Sequence, residues 1–384
     1  MSGGYRAADF DYDYPPELIA QHPPAERGSS RLLVVDRARQ QITHGRFTDF
    51  PSLLAPGDCL VVNESRVIPA RLHATRDNGR PAELLLVHEE PDGTWRAMVH
   101  PGGKLKAGRR LTFSSPRGLR SADSAPPVPV SAYALSSPPV PLSAYAERGN
   151  PGIGDPWAEI VEVLGSGLRR VRFHGADARS IMGRYGAVPL PPYIHRAPEA
   201  SDTERYQTVY ARAEGSVAAP TAGLHFTPGV LDAIRALGIT IAPLTLHVGP
   251  GTFKPVAVDD PAEHVMHAEW YEIPAETAAT VRATKAAGGR VWAVGTTAAR
   301  VLETAGASEQ VSKGTTQGWT DLFIYPPFQF TVVDGLLTNF HLPRSTLLML
   351  VAAFAGYDLT IRAYREAVAA GYRLYSYGDA MVIR

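Results

Sequence analysis

Three polar clusters interrupt otherwise apolar stretches of this chain, and each contains one histidine. Histidine is suited to general acid–base chemistry because its ordinary pKa lies near neutral pH. The residue types therefore indicate a histidine-rich crevice. The clusters are Pro220-Thr221-Ala222-Gly223-Leu224-His225-Phe226, Leu244-Thr245-Leu246-His247-Val248-Gly249-Pro250-Gly251-Thr252-Phe253-Lys254 and Thr338-Asn339-Phe340-His341-Leu342-Pro343-Arg344-Ser345-Thr346.

The surroundings of the three histidines differ. His247 ends a predicted strand, where open α/β sheets place their ligands, and the glycines around it favour an ordered loop over a crevice. Asn339 and His341 alternate with apolar residues, so we expect them on one strand face. Buried polar groups there need partners, and a substrate is one candidate. For His225, a structural turn with a hydrogen-bonded histidine is an equal alternative to ligand binding.

Two further motifs have residue types that could bind an anion or a metal ion. Gly295-Thr296-Thr297 links a predicted strand to a helix, and such a turn presents backbone N–H groups to anions. The signal is weak, because the glycine patterns of dinucleotide and P-loop folds are absent. His264 and His267 lack the His-Glu-x-x-His spacing of zinc proteases, and the single cysteine, Cys59, excludes zinc sites that need two. We predict no metal site.

Short strands separated by turns occupy the region from about Arg71 to Phe173. Asn78-Gly79 and Pro91-Asp92-Gly93 are typical hairpin turns. Predicted strands include 82–88, 95–99, 110–113, 157–164 and 168–173. Six short antiparallel strands predict a small closed barrel, which removes exposed sheet edges. A proline-rich nonapeptide at 126–134 recurs at 138–146 with one residue changed. We expect 115–156 to form a Pro/Ala/Ser-rich mobile loop within the barrel.

From about Ala218 the pattern changes to alternating helices and strands. Thr227 and Pro228 are typical of the N-cap and first position of a helix. Further predicted elements are strands at 239–246 and 290–294, a helix at about 275–287, and an apolar, central helix from about Ser345. The alternation predicts an α/β fold with a mostly parallel sheet. We predict a discontinuous α/β catalytic domain, 1–70 and 175–384, with a small antiparallel β-barrel domain inserted at 71–174.

The composition of this chain limits how it can bind nucleic acids and membranes. The formal net charge is zero, so any binding of nucleic acid must rely on local clusters. Asp9, Asp11 and Asp13 interrupt any apolar N-terminal segment, and the longest apolar run, 347–355, is too short to cross a bilayer. We expect a soluble, cytoplasmic protein without a membrane partner.

Additional motifs extend the pattern over nearly the whole chain, apart from the first few residues and roughly 115–156. They are Leu18-Ile19-Ala20-Gln21, Ser30-Arg31-Leu32-Leu33, Val62-Asn63-Glu64-Ser65-Arg66-Val67-Ile68-Pro69-Ala70-Arg71-Leu72, Val188-Pro189-Leu190-Pro191-Pro192-Tyr193-Ile194, Tyr206-Gln207-Thr208-Val209-Tyr210 and Tyr375-Ser376-Tyr377-Gly378-Asp379-Ala380-Met381. Together with the histidine clusters, they resemble the S-adenosylmethionine:tRNA ribosyltransferase-isomerases of queuosine biosynthesis. Asn63-Glu64-Ser65-Arg66 stands where that family usually has Asn-Asp-Thr-Arg.

The resemblance implies a specific reaction. The ribosyl part of S-adenosylmethionine would be transferred to 7-aminomethyl-7-deazaguanine at the tRNA wobble position and rearranged to an epoxycyclopentanediol. Epoxyqueuosine-tRNA would form, with release of adenine and methionine. S-adenosylmethionine would be a consumed substrate, so no cofactor is expected, and we expect a monomer. The family fold also pairs an α/β domain with an inserted barrel.

The implied chemistry suggests roles for the residues above. The sulfonium acidifies the adjacent ribose carbon, so His341, His225 or His247 would act as the base that starts adenine elimination. Asn339, Thr296 and Thr297 would hold sugar or methionine groups, and Thr252 would bind substrate from the His247 loop. Arg66, Arg71 and the 104–110 turn would contact tRNA phosphates. Two alternatives stay open: the same cleavage with a non-tRNA nucleoside or deazapurine acceptor, and a non-catalytic RNA-binding protein.

Overall fold

The computed structural model describes residues 4–113, 155–165, 167–249, 256–307 and 315–384. The described chain divides into two compact units. The larger contains the described parts of Met1–Val67, Leu190–Ala197 and Ser201–Arg384, and the smaller those of Ile68–Pro189 and Pro198–Ala200. Thr252 and most of the predicted loop at 115–156 lie outside the described residues.

The elements are named in chain order. The strands are β1 (Arg31–Asp36), β2 (Gln41–Arg46), β3 (Cys59–Asn63), β4 (Ser65–Val67), β5 (Arg71–Arg76), β6 (Pro81–Glu89), β7 (Trp95–His100), β8 (Arg110–Phe113), β9 (Trp157–Gly165), β10 (Leu168–His174), β11 (Gly186–Ala187), β12 (Ala213–Ser216), β13 (Thr240–Leu246), β14 (Glu269–Ile273), β15 (Val291–Val294), β16 (Thr316–Thr320), β17 (Gly335–Asn339) and β18 (Ala380–Ile383). The α-helices are α1 (Ala178–Tyr185), α2 (Asp202–Arg205), α3 (Pro228–Ala236), α4 (Ala275–Ala286), α5 (Thr296–Ala307), α6 (Thr346–Ala355) and α7 (Tyr357–Ala369).

A mixed sheet organises the larger unit, in the order β16-β14-β13-β3-β15-β17-β18-β1-β2. The neighbouring strands β13, β3, β15 and β17 run parallel, and antiparallel pairs flank them on both sides. The continuous apolar run of β3 is typical of a strand covered on both faces. Cys59 and Val61 pack into one core, and Leu60 and Val62 pack into the other. The predicted α/β class is confirmed, with parallel strands at the centre of the sheet.

The helix signals in the sequence also hold. The Thr227 hydroxyl accepts a hydrogen bond from the Val230 N–H at 3.2 Å, so α3 begins with the predicted cap. Helix α6 is buried on nearly all sides, as its apolar composition predicts. Among the described residues, no single helix has the length and hydropathy to cross a membrane. Helices α6 and α7 meet that test only as a pair, bent by 116°.

The smaller unit is a closed antiparallel barrel. Its strands follow the order β5-β6-β7-β10-β9-β8, and pairing between β5 and β8 closes the ring. Alternate residues such as Leu84, Leu86, Ile160 and Val171 are fully buried, which fits the two-residue period of strands around a small barrel. The predicted antiparallel barrel is confirmed. The unit extends beyond the expected 71–174 and includes α1 and β11.

One glycine gives the first prediction. At Gly335, the start of β17, a Cβ would lie 2.3 Å from Cε3 of the fully buried Trp292 indole. We expect Gly335→Ala to lower the free energy of unfolding by about 1–3 kcal/mol, because the closely packed ring cannot move aside. Denaturant unfolding checks this. Gly229→Ala on exposed α3, where a Cβ meets nothing closer than 3.9 Å, should be neutral or stabilising. Equal stability of the two variants would contradict the packing argument.

Candidate active site at the strand ends

A small cavity of about 40 Å³ lies where the central parallel strands end. Its walls come from five segments: 219–222, Val248 after β13, the Gly295–Thr297 turn after β15, the end of β17 as far as His341, and Leu347 on α6. This is the edge where open α/β sheets bind ligands. The lining contains Thr296, Thr297, Asn339 and His341 of the predicted site. A typical ligand pocket measures roughly 300–1,000 Å³, so this cavity fits one small group of a larger substrate.

Asn339 connects the cavity to two distant segments. Its Nδ2 donates to the Tyr375 carbonyl at 3.1 Å, a contact that fixes Nδ2 as the donor side of the amide. The same Nδ2 lies 3.2 Å from Nε2 of His225. The opposite atom, Oδ1, belongs to a residue that is only 2% exposed, and no described part of the chain forms a hydrogen bond with it. A buried acceptor left this way at a cavity wall is suited to a ligand that donates.

His225 lies behind Asn339 and does not line the cavity. Because Asn339 donates to Nε2, Nδ1 must carry the ring proton, and it donates to the Ser30 hydroxyl at 2.8 Å. Burial, with a smaller contribution from Arg27, lowers the pKa of His225 to about 3. His225 is therefore a neutral histidine with both nitrogens engaged, and it orients Asn339.

His341 does face the cavity, and its backbone is held from both sides. Its N–H donates to the Tyr364 hydroxyl at 3.1 Å, and the Tyr12 hydroxyl donates to its carbonyl at 2.6 Å. Its Nε2 lies 2.7 Å from the Thr338 hydroxyl. Burial lowers the pKa of His341 to about 3, so the imidazole is neutral at physiological pH. If Nε2–H donates to Thr338, Nδ1 is the basic nitrogen.

Thr296 and Thr297 form the first turn of α5, where helix N–H groups have no partner within the helix. Both side chains are buried. Asn63, at the end of β3, supports this turn through its side-chain amide. Its Nδ2 donates to the Thr297 hydroxyl at 3.4 Å and to the Leu246 carbonyl at 3.0 Å. Its Oδ1 accepts from the Leu246 N–H at 3.1 Å. One side chain thus links the ends of three neighbouring strands.

His247 is not among the cavity-lining residues, although Val248 beside it is. Its ring stacks on Trp270 with centroids 5.2 Å apart and planes at 19°. A Cβ at Gly215 (φ +141°) would lie 2.9 Å from the same ring, so glycine is required there. Glu269 accepts from the Gly249 N–H at 2.8 Å and pairs with buried Arg300, which anchors the start of the loop.

Of the predicted phosphate contacts, Arg66 and Arg71 are not among the residues that line the cavity. Arg66 is on β4, with its side chain 46% exposed and its Nε 4.0 Å from Glu214. Arg71 belongs to the barrel unit, on β5, with its Nε 3.3 Å from Glu83. Within the described ranges, no three His, Cys, Asp or Glu side chains gather in a way that could hold a metal ion.

With this geometry in view, comparison with known proteins identifies the family. A queuosine biosynthesis protein family model matches residues 7–383. The chain belongs to this family. A protein of Thermus thermophilus named S-adenosylmethionine:tRNA ribosyltransferase-isomerase is 50% identical over 375 residues, covering 97% of this chain and 98% of its own. One of the same name from Symbiobacterium thermophilum is 47% identical over 380 residues, covering 98% and 99%. The crystal structure of an S-adenosylmethionine tRNA ribosyltransferase from Thermotoga maritima shares 36% identity, 98% and 100% coverage, and a TM-score of 0.51.

Sequence reasoning missed two kinds of residue in this queuosine-family site. Asn63 ends an apolar strand, and that position was a usable signal, because a polar side chain directly after a buried strand needs a partner. Tyr12, Tyr364 and Tyr375 gave no such signal. They come from three distant segments, and only the fold brings them around His341 and Asn339.

The buried histidines make stability depend on pH. Below about pH 6.5 the unfolded chain protonates these side chains, while His225 and His341 stay neutral in the folded chain down to about pH 3. Stability should therefore fall as pH falls through this window, by at most about 1.4 kcal/mol per pH unit per histidine. In denaturant titrations between pH 7 and 5, the free energy of unfolding of His225→Gln should fall less steeply with pH than that of the wild type. Parallel curves would rule out a buried neutral His225.

Proposed function

We propose that this chain transfers and isomerises the ribosyl moiety of S-adenosylmethionine onto 7-aminomethyl-7-deazaguanine at the wobble position of tRNA. Epoxyqueuosine-tRNA, adenine and methionine would be the products. The observation that carries the proposal is the match, at 47–50% identity over nearly the full length, to relatives named S-adenosylmethionine:tRNA ribosyltransferase-isomerase. The cavity at the strand ends supplies groups suited to this chemistry.

The donor would place one polar end in the cavity. The first turn of α5 presents N–H groups and a positive dipole end, which suits the methionine carboxylate. Asn339 Oδ1, a buried acceptor that has no partner among the residues the structure describes, would accept from the donor's ammonium group or a ribose hydroxyl. The rest of the donor is too large for about 40 Å³ and would extend beyond the cavity.

His341 would be the base. The sulfonium acidifies the ribose carbon beside it, and the neutral imidazole takes that proton as adenine is eliminated. Burial keeps His341 unprotonated but also makes it a weak base. A bound carboxylate nearby would raise its pKa toward a useful range. His225 would orient Asn339, and His247 would shape the loop outside the cavity.

The proposal also defines the partners. S-adenosylmethionine would be consumed, so the reaction requires no resident cofactor, and tRNA carrying the deazaguanine precursor would be the acceptor. We expect the chain to act as a monomer. A cytoplasmic location would give access to both substrates.

Product identity tests the reaction. Incubation with S-adenosylmethionine and precursor-bearing tRNA should release adenine and methionine in equal amounts, because the donor gives up its ribosyl group. Chromatography of the small molecules and nucleoside analysis of the tRNA provide the measurement. S-adenosylhomocysteine as the main product would instead identify a methyltransferase.

Substitution of the histidines tests the site. His341→Ala should lower single-turnover adenine release by roughly 10²–10⁴-fold at saturating substrates, the usual loss when a general base is removed. Substrate affinity should change far less, since a base acts mainly in the transition state. His225→Gln should have a smaller effect, and exposed His195→Ala serves as the control. A folded His341→Ala variant with a near-normal rate would place the base elsewhere.

A further inference from the structure

Three aromatic side chains form a row across the edge of the large sheet. Trp270 on β14 is directly opposite Trp319 on β16 in the antiparallel register. Extending the β13–β14 register by one residue places His247 opposite Trp270, and the His247 N–H donates to the Trp270 carbonyl at 3.0 Å. Directly opposed residues project from the same face of a sheet. The aromatic row is therefore His247, Trp270 and Trp319, on three adjacent strands.

The row runs from the candidate active site to open solvent. His247 directly precedes Val248, a cavity-lining residue. At the other end, Trp319 lies on the edge strand of the sheet and is 54% exposed, unusually high for so large an apolar side chain. Exposed aromatics beside a functional site mark binding surfaces more often than isolated exposed residues do.

Cationic side chains flank the inner end of the row. Gly215, on β12, packs against the His247 ring, and the β12–β4 pair carries Arg66. Arg212, next to β12, has a side chain that is 69% exposed and pairs with Glu64 at 2.8 Å. The paired carboxylates, Glu214 and Glu64, are mostly buried, whereas both guanidinium groups are largely exposed and can contact a phosphate from their solvent side.

We propose that the aromatic row is a stacking platform for an unpaired base of the tRNA anticodon loop. Proteins recognise single-stranded RNA loops by stacking splayed bases on aromatic rings, with arginine holding the backbone. The row has the ring types, the exposure and the flanking cations for this role, and its inner end adjoins the cavity. A base neighbouring the modified nucleotide would stack on Trp319. The inference rests on the proposed function for its choice of RNA.

Binding to the anticodon stem-loop RNA tests the platform without requiring turnover. Trp319→Ala should weaken binding roughly 5- to 100-fold, the range expected for one base–aromatic stack, and Trp319→Phe should restore most of it. The loss should persist at all salt concentrations. Arg66→Gln should instead reduce the slope of log affinity against log salt by about one, the value expected for one lost phosphate contact. Tyr5→Ala, which removes a 39% exposed aromatic elsewhere, is the matched control.

The outcomes separate this inference from the proposed function. In turnover assays, Trp319→Ala should raise the KM for tRNA and leave the KM for S-adenosylmethionine unchanged. Unaltered RNA affinity in a folded Trp319→Ala variant would overturn the platform, even if the wild type releases adenine normally. A Trp319→Ala defect equal for the stem-loop and for a fully paired RNA duplex would also overturn it. Failure of the wild type to release adenine, with RNA binding intact, would overturn the proposed function alone.

Discussion

The hydrogen bonds around the Asn339 side chain hold the candidate site together. Its amide nitrogen contacts the Tyr375 carbonyl near the C-terminus and the His225 ring in the 220–226 segment, and His225 in turn bonds to Ser30. Four segments far apart in the sequence therefore meet at one buried amide. Such a network is stable only when each member finds its partner. The Asn339 carbonyl oxygen is the exception within the described ranges, and Asn339 lines the cavity where a substrate would bind.

The two buried histidines share a lowered pKa but differ in what surrounds their rings. His225 and His341 both have a pKa lowered to about 3 by burial. Both ring nitrogens of His225 are engaged, with Ser30 and Asn339. His341 lies on the cavity wall, where a bound anion would change its electrostatic environment. A buried neutral histidine makes the fold less stable in acid. It also lets a titratable group lie inside an α/β core, next to the place where substrate atoms would react. The distinction between the two depends on where their partners lie, which the residue type alone does not reveal.

Much of the fold was predictable from local sequence. Hairpin turns and short alternating strands predicted the barrel, and the alternation of helices and strands from about Ala218, with the Thr227 cap and the apolar helix from about Ser345, predicted the α/β part. Two residues of the histidine clusters, Asn339 and His341, line the cavity at the strand ends, and their roles there stay a prediction. What could not be predicted was long-range: the tyrosines around His341, the position of His225 behind Asn339, and the alignment of His247, Trp270 and Trp319. These follow from strand order and register, which one sequence does not encode in any local pattern.

The zero net charge of the chain makes the exposed tryptophan relevant to RNA binding. A strongly basic protein gathers RNA through long-range attraction, and its affinity then falls steeply with salt. A neutral chain lacks that attraction, so it must obtain affinity from contacts made after the RNA arrives. Stacking is such a contact, because it depends on ring overlap and little on ionic strength. An RNA loop stacked on Trp319, with its backbone held by Arg66 and Arg212 at the other end of the aromatic row, would bind at physiological salt without a basic surface. In this way a chain of balanced charge can still act on a polyanion.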